Sequence, residues 1–210
     1  DNIESLQRAV TRPETFDVYH QWHTVDLIWT SRSIQPIDLR RIDGASEIKK
    51  IALAPHTEMR ARTPVFDRLF VQENGALEGK PTDFVAMLPS IHGVDAFGYI
   101  EGIHEAENLG DDSWAWLLDQ RFRGRAALMA DASQGLIEAA LATEAAEGIR
   151  FGDISNLSVE EIDHVVDRLI RMKKLGHFKG FWSNSAEAAR LMQRGVVVQS
   201  IWAPALVRLR

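Results

Sequence analysis

Two histidines near the start of the chain have a spacing that could bind a metal ion. His20 and His23 occur in the segment YHQWHT, and residues three apart lie on one face of a helix. No HExxH motif follows them, and the remaining histidines are scattered along the sequence. The pattern therefore favours ordinary histidines over a metal site. A metal-dependent hydrolase that uses this pair is the enzyme alternative.

A basic segment, RFRGR, is the second candidate for chemistry, with Arg121, Arg123 and Arg125. Arginine could hold a phosphate because the guanidinium group presents paired donors. Directly before an apolar strand pattern such as RAALM, however, a basic segment is more often a solvated turn. The formal net charge of −6 also disfavours a general nucleic-acid binder, which needs a concentrated positive surface. We expect no nucleic-acid partner.

Polar and aromatic residues at predicted strand ends are the third candidate. Asp131 ends RAALMAD, Trp182 lies in GFWSNSAEA before a helix, and Trp202 follows the strand pattern VVVQS. In open α/β sheets ligands bind outside the carboxyl ends of strands. Asp131 is either a helix cap or a ligand contact, and each Trp is either core or an aromatic wall. Together they would suit a ligand with a cationic amine.

Known catalytic and nucleotide-binding motifs do not occur in the sequence. It has no GxSxG elbow, Walker loop or GxGxxG fingerprint. We therefore predict no catalytic residue, no metal and no cofactor. The chain contains no cysteine, which excludes disulfides and cysteine-based zinc sites without choosing a compartment. It has no apolar run of membrane-spanning length and no signal-peptide pattern at its start, so we expect it not to be membrane-embedded.

Periodicity and capping patterns predict the elements that position these residues. Two capping-box patterns begin helices that a glycine ends: Ser158 with Glu161 before Gly176, and Asn184 with Glu187 before Gly195. The predicted helices are 133–147, 159–174 and 185–194, and the predicted strands are 84–88, 125–129 and 196–200. The apolar stripe of the middle helix comprises Ile162, Val165, Val166, Leu169 and Ile170. Strands alternating with helices predict an α/β fold.

Weaker patterns cover the rest of the chain. We predict a short strand at 16–19, a helix at 24–33 and a helix at 113–119. Scattered Pro, Gly and charged residues indicate an irregular surface region at 43–81. A length of 210 residues, 45% of them hydrophobic, allows one large domain or two small lobes.

The order of several segments resembles a known family. FDVYHQW, IQPIDLRRI, SWAWLLDQRFRGRAALMADAS and GFWSNSAEAARLMQRGVVVQSIWAPAL are similar to segments of periplasmic solute-binding proteins of ABC transporters, in the spermidine/putrescine-binding branch. One family pattern, Trp-x-x-Leu-(Trp/Leu)-Asp-x-x-(Tyr/Phe)-(Lys/Arg)-Gly-(Arg/Lys), opens the second lobe. It matches Trp114, Leu117, Leu118, Asp119, Phe122, Arg123, Gly124 and Arg125.

This resemblance implies a two-lobe, type 2 periplasmic-binding-protein fold with a ligand cleft between the lobes. Lobe one would cover residues 1–95 and lobe two residues 96–210, with family segments missing before Asp1 and after Arg210. The Trp pair of SWAW would be lobe core. The implied ligand-binding residues are Gln21, Trp22, His23, Asp131, Gln134, Trp182, Ser183 and Trp202.

The resemblance also implies a function without covalent chemistry. A periplasmic, monomeric protein would capture a small solute, close around it and deliver it to the permease subunits of the transporter. Asp131 matches the amine-binding Asp of the family, whereas Gln134 stands where polyamine binders carry Glu. We therefore expect a small polar ligand with at most one strong cationic centre. A ligand-sensing regulatory module is a further alternative, because binding folds are reused.

Overall fold

The computed structural model describes residues 2–20, 25–48, 64–89, 96–154 and 156–209. Within these ranges the chain is mixed α/β and contains two four-stranded sheets. It divides into two compact units, which comprise Asp1–His92 and Gly93–Arg210. The α/β class predicted from the sequence is confirmed at this level.

Unit 1 is built on a small antiparallel sheet. Its strands are β1 (Ile37–Asp38), β2 (Phe70–Val71), β3 (Leu77–Glu78) and β4 (Phe84–Val85), in the order β1-β4-β2-β3. Its helices are α1 (Asn2–Thr11), α2 (Val25–Thr30) and α3 (Pro64–Asp67). Phe66, Leu69, Phe70 and Val85 form its core beside the sheet.

Four predictions for unit 1 need correction. The helix predicted at 24–33 ends at Thr30, and a turn follows it. The strand predicted at 84–88 ends at Val85, and no strand forms at 16–19. There the rings of Phe16 and Tyr19 lie 5.6 Å apart, a contact that residues on opposite faces of a strand could not make. The region 43–81 is not merely irregular surface, because β2 and β3 form a hairpin around Asn74 and Gly75.

Unit 2 alternates strands and helices. Its strands are β5 (Ala96–Tyr99), β6 (Ala126–Met129), β7 (Phe178–Trp182) and β8 (Val198–Ile201). Its helices are α4 (Ile103–Ala106), α5 (Gln134–Glu147), α6 (Val159–Lys174), α7 (Ser185–Gln193) and α8 (Ala203–Leu209). Five predicted elements of unit 2 are confirmed to within two residues: the strands at 125–129 and 196–200 and the helices at 133–147, 159–174 and 185–194.

The segment predicted as a helix at 113–119 forms a 3-10 helix at Trp114–Leu118. The side chain of Ser113 accepts a hydrogen bond from the backbone of Ala115, and Asp119 starts a second 3-10 turn. The Trp116 amide donates to the Ser113 carbonyl and the Asp119 amide to the Trp116 carbonyl, which is the three-residue spacing of a 3-10 helix. Of the Trp pair expected in the core, Trp116 is buried there, whereas Trp114 is partly buried and packs against the same cluster.

The strand order in unit 2 is β5-β8-β6-β7, with β6 parallel to both of its neighbours and β5 antiparallel to β8. Alternate residues of β6 enter different cores. Ala126 and Leu128 pack in the cluster that contains residues of α5 and α6, whereas Ala127 and Met129 pack with residues of α7 and α8. The two helix pairs therefore cover opposite faces of the sheet.

Helix boundaries in unit 2 follow local capping chemistry. Ser158 and Glu161 form the reciprocal capping box that the sequence predicts, with Glu161 accepting from the Ser158 backbone at 2.8 Å. Asn184 caps α7 by accepting from the backbone of Ala186 and Glu187. Here Glu187 reaches back to the backbone of Ser183 rather than Asn184, so the second box is only partly realised.

Candidate functional site at the carboxyl edge of the unit 2 sheet

The strands β6 and β8 are parallel neighbours, and the strand order changes direction between their carboxyl ends. From β6 the chain passes through α5 and α6 to β7 on one side, and from β7 through α7 to β8 on the other. Such a topological switch point leaves a crevice outside the strand ends, because the two connections depart over opposite faces. This edge is the candidate site.

Hydrogen bonding differs on the two sides of β6 at this edge. Toward β7, pairing continues to Met129 beside Trp182, and the Ala130 amide donates to the Trp182 carbonyl at 2.8 Å. Toward β8, strand pairing extends only as far as Ala127, which lies opposite Gln199. Beyond this pair, the Met129 amide donates to the hydroxyl of Ser200 at 3.0 Å. A buried side chain thus bridges β6 and β8 where the switch point opens.

Asp131 follows β6 and caps α5. Its Oδ1 atom accepts hydrogen bonds from the Ser133 amide at 2.9 Å, the Ser133 hydroxyl at 2.7 Å and the Gln134 amide at 2.8 Å. These donors and the positive end of the helix stabilise its negative charge. The capping role weighed in the sequence is therefore present, and a ligand would meet a carboxylate that is already hydrogen-bonded.

The first turn of α5 lies close to the end of β6. A Cβ atom on Gly135 would come within 2.6 Å of the Met129 carbonyl oxygen, so this position requires glycine. Next to it, Gln134 has a side-chain Oε1 that is buried without a hydrogen-bond partner in the described part of the chain. A buried acceptor of this kind gains from any ligand donor that reaches it.

The two aromatic residues predicted to wall a cleft contact each other. The rings of Trp182 and Trp202 meet edge to face, with centroids 5.0 Å apart. Trp182 is fully buried in the cluster with Met192, whereas Trp202 is partly buried. A ligand could reach Trp202 from the edge, but it could reach the Trp182 ring only by displacing part of this cluster.

The remaining predicted site residues divide into two groups. Ser183 lies after β7, and its amide is held by Glu187 at 2.8 Å. Gln21, Trp22 and His23 lie outside the described residues. His20 is described and exposed, and within the described ranges no group of three or more acidic or histidine side chains could hold a metal ion.

The basic segment is occupied by intramolecular ion pairs. Arg121 bonds Asp119 at 2.6 Å, and this hydrogen bond lowers the pKa of the Asp119 carboxyl. Arg125 bonds Glu107 at 2.9 Å. Two of the three arginines are therefore neutralised by neighbouring carboxylates, which supports the solvated turn rather than a phosphate clamp.

Two residues of this edge, Ser200 and Gly135, were not predicted from the sequence, although each departs from the pattern of its segment. Ser200 and the buried Gln199 are adjacent polar residues inside the otherwise apolar strand pattern VVVQSIW. Gln199 donates to the Ala188 carbonyl at 2.9 Å and so ties β8 to α7. Gly135 interrupts a helix pattern in its first turn, where glycine has a packing reason.

Unit 1 has an open groove of about 840 Å³ between the end of α2 and the β2–β3 hairpin. Trp29 lines it and donates to the Gly75 carbonyl at 2.9 Å. Arg32 and Gln72 also line it. This groove is the main alternative location for a ligand.

Comparison with known proteins gives no family assignment. No protein-family model matches the chain, and no curated protein sequence matches it. In the described ranges, no helix has the length and apolar character needed to cross a bilayer.

Proposed function

We propose that this protein is the solute-binding component of an ABC transporter, which captures a small polar solute and delivers it to a membrane permease. The observation that carries the proposal is the switch point at β6 and β8, where three parallel strands end and Asp131 and Trp202 follow two of them. In open α/β sheets this is the place where ligands bind. The two-lobe architecture, periplasmic location and closure on the ligand belong to the same proposal and rest on the family resemblance.

The polar groups at the carboxyl edge favour a ligand that is neutral or carries a single positive charge. Asp131 is the carboxylate directly after β6, and it already accepts three hydrogen bonds. Gln134 adds a neutral acceptor, and Trp202 adds an aromatic side chain. A long polyamine needs several desolvated anions, so a solute with hydroxyl or amide groups and at most one amine fits better.

A thermal-shift screen of the whole chain tests this proposal. The panel comprises monoamines, polyamines, amino acids, sugars and phosphonates. A compound at one hundred times its Kd should add about 2.7 kcal/mol to the free energy of unfolding, because it binds only the folded state. We expect a neutral or singly cationic compound to give the largest shift. A shift for anionic compounds only, or for none, would contradict the proposal.

Matched variants test whether a compound that raises the melting temperature binds at the carboxyl edge of the unit 2 sheet. Gln134→Leu removes the buried acceptor, and Gln193→Leu makes the same change on the exposed last residue of α7. The first should weaken binding about tenfold and the second should not change it. Asp131→Asn keeps the capping oxygen and removes the charge, so it separates the two roles of this residue. Equal binding by all variants would place the ligand elsewhere.

A further inference from the structure

Helix α6 has a wider apolar face than its own unit covers. Val165 is fully buried and Met172 is nearly so. Val159, Val166 and Ile170 are 69%, 38% and 43% exposed. At about 100° per residue, these three side chains lie within about 40° of one another around the helix axis. They form a continuous stripe along the outer side of α6, which we call the α6 stripe.

Charged residues flank the α6 stripe in an ordered way. Asp163 and Asp167 lie in its amino-terminal half, and Arg171 and Lys174 lie in its carboxyl-terminal half. All four side chains are exposed, and helical periodicity puts them on the same side of the stripe. None of the four has a hydrogen bond or ion pair to another side chain within the described residues. The helix therefore presents one acidic end and one basic end with uncommitted charges.

We propose that the α6 stripe packs against the same stripe of a second copy of this chain, with the two helices antiparallel. A twofold axis near residue 168 would bring Val166 of one copy against Ile170 of the other. The same axis brings Asp163 opposite Lys174, and Asp167 opposite Arg171. Because a twofold axis matches each flank with itself, one register satisfies the apolar and the charged pairs together. In a parallel pair a twofold axis would match each flank with the opposite flank, so these four charges could not pair with one another.

The interface is small, so association should be weak and concentration-dependent. A stable interface usually buries at least about 1,000 Å², and a single pair of helices of this length supplies less than a typical dimer. The proposal replaces the monomer expected from the sequence with a monomer–dimer equilibrium. It does not depend on the proposed transport function.

Sedimentation velocity of the whole chain from about 1 µM to about 1 mM tests the proposal. The wild-type sedimentation coefficient should rise with concentration. Ile170→Glu should shift the midpoint by at least about tenfold, because it puts a charge into the apolar contact. Val207→Glu is the matched control, since Val207 is 73% exposed on α8, which covers the opposite face of the sheet. It should sediment like the wild type.

A charge exchange tests the antiparallel register itself. Asp163→Lys and Lys174→Asp should each weaken association about tenfold, and the double variant should restore it, because each new charge again meets its opposite. Circular dichroism should show that every variant is folded, since all the substituted positions are exposed. A wild type that stays monomeric, association that ignores Ile170→Glu, or a double variant weaker than both single variants would each overturn the proposal.

Discussion

The sheets of the two units are both four-stranded but are stabilised in different ways. In unit 1 each strand is two residues long, every pair is antiparallel, and no strand is buried at both positions. In unit 2, β6 and β8 are buried at all four positions because helices cover both faces of the sheet. A sheet buried on both faces fixes where its strand ends lie. That rigidity is what a ligand site at the carboxyl edge needs.

The largest expected effect is the loss of stability when a buried leucine in the core of each unit is replaced by alanine. Leu117 in unit 2 and Leu69 in unit 1 are both fully buried. Leu117→Ala should cost about 3–5 kcal/mol and Leu69→Ala about 2–3 kcal/mol, because the smaller core around Leu69 can relax into the cavity more easily. Native-state hydrogen exchange of β6 and of the β2–β3 hairpin measures the two losses separately. A larger cost for Leu69→Ala would reverse the comparison.

A smaller effect should appear on acidification, and it should arise in unit 2. Burial lowers the pKa of the His177 imidazole, which the hydrogen bond to the Leu117 carbonyl and the nearby Asp119 only partly oppose. Its Nε2 lies 2.9 Å from that carbonyl oxygen and donates to it. Since the unfolded imidazole binds a proton first, stability is complete above about pH 6.5 and falls as the pH drops below that value.

The variant His177→Gln keeps a side-chain donor and removes the titrating group. In urea unfolding, the wild type should lose at most about 1.4 kcal/mol per pH unit below pH 6.5 from this group, and the variant should not. A variant that loses as much stability as the wild type between pH 7.5 and pH 5.5 would show that another group is responsible.

The smallest effect concerns the helix starts of unit 2. Ser158→Ala removes the capping box of α6 and Asn184→Ala removes the two hydrogen bonds that start α7. Each should cost about 1 kcal/mol in urea unfolding. Ser158→Asn and Asn184→Ser should restore most of the loss, since both residues cap well. Failure of these rescues would mean that the caps do not set the helix boundaries.

Local signals account for most of what the sequence predicted correctly. The ends of α6 and α7 follow from Ser158, Asn184 and the glycines after them, because a cap acts within one turn. The hairpin of unit 1 had a signal as well, an Asn-Gly pair at positions 74 and 75, which was overlooked in a polar region.

Properties that depend on tertiary packing could not be read from the sequence. Trp182 and Trp202 have similar local settings, yet only Trp182 is fully buried, in a cluster that combines β6, α7 and α8. Periodicity placed Val166 and Ile170 in the same apolar stripe as Val165, whereas in the structure they are exposed and Val165 is buried. The cap at Asp131 is local and was among the sequence expectations, whereas the close approach of Gly135 to the Met129 carbonyl depends on how α5 packs on β6.

Hydrogen–deuterium exchange with the compound that gives the largest thermal shift tests the central claim most directly. Bound solute at the switch point should slow exchange of the amides at 130–135 and 202–203, because these segments follow β6 and β8. Exchange at 72–77, beside the groove of unit 1, should not change. Protection confined to 72–77, with none at 130–135, would contradict a ligand site at the carboxyl edge of the unit 2 sheet.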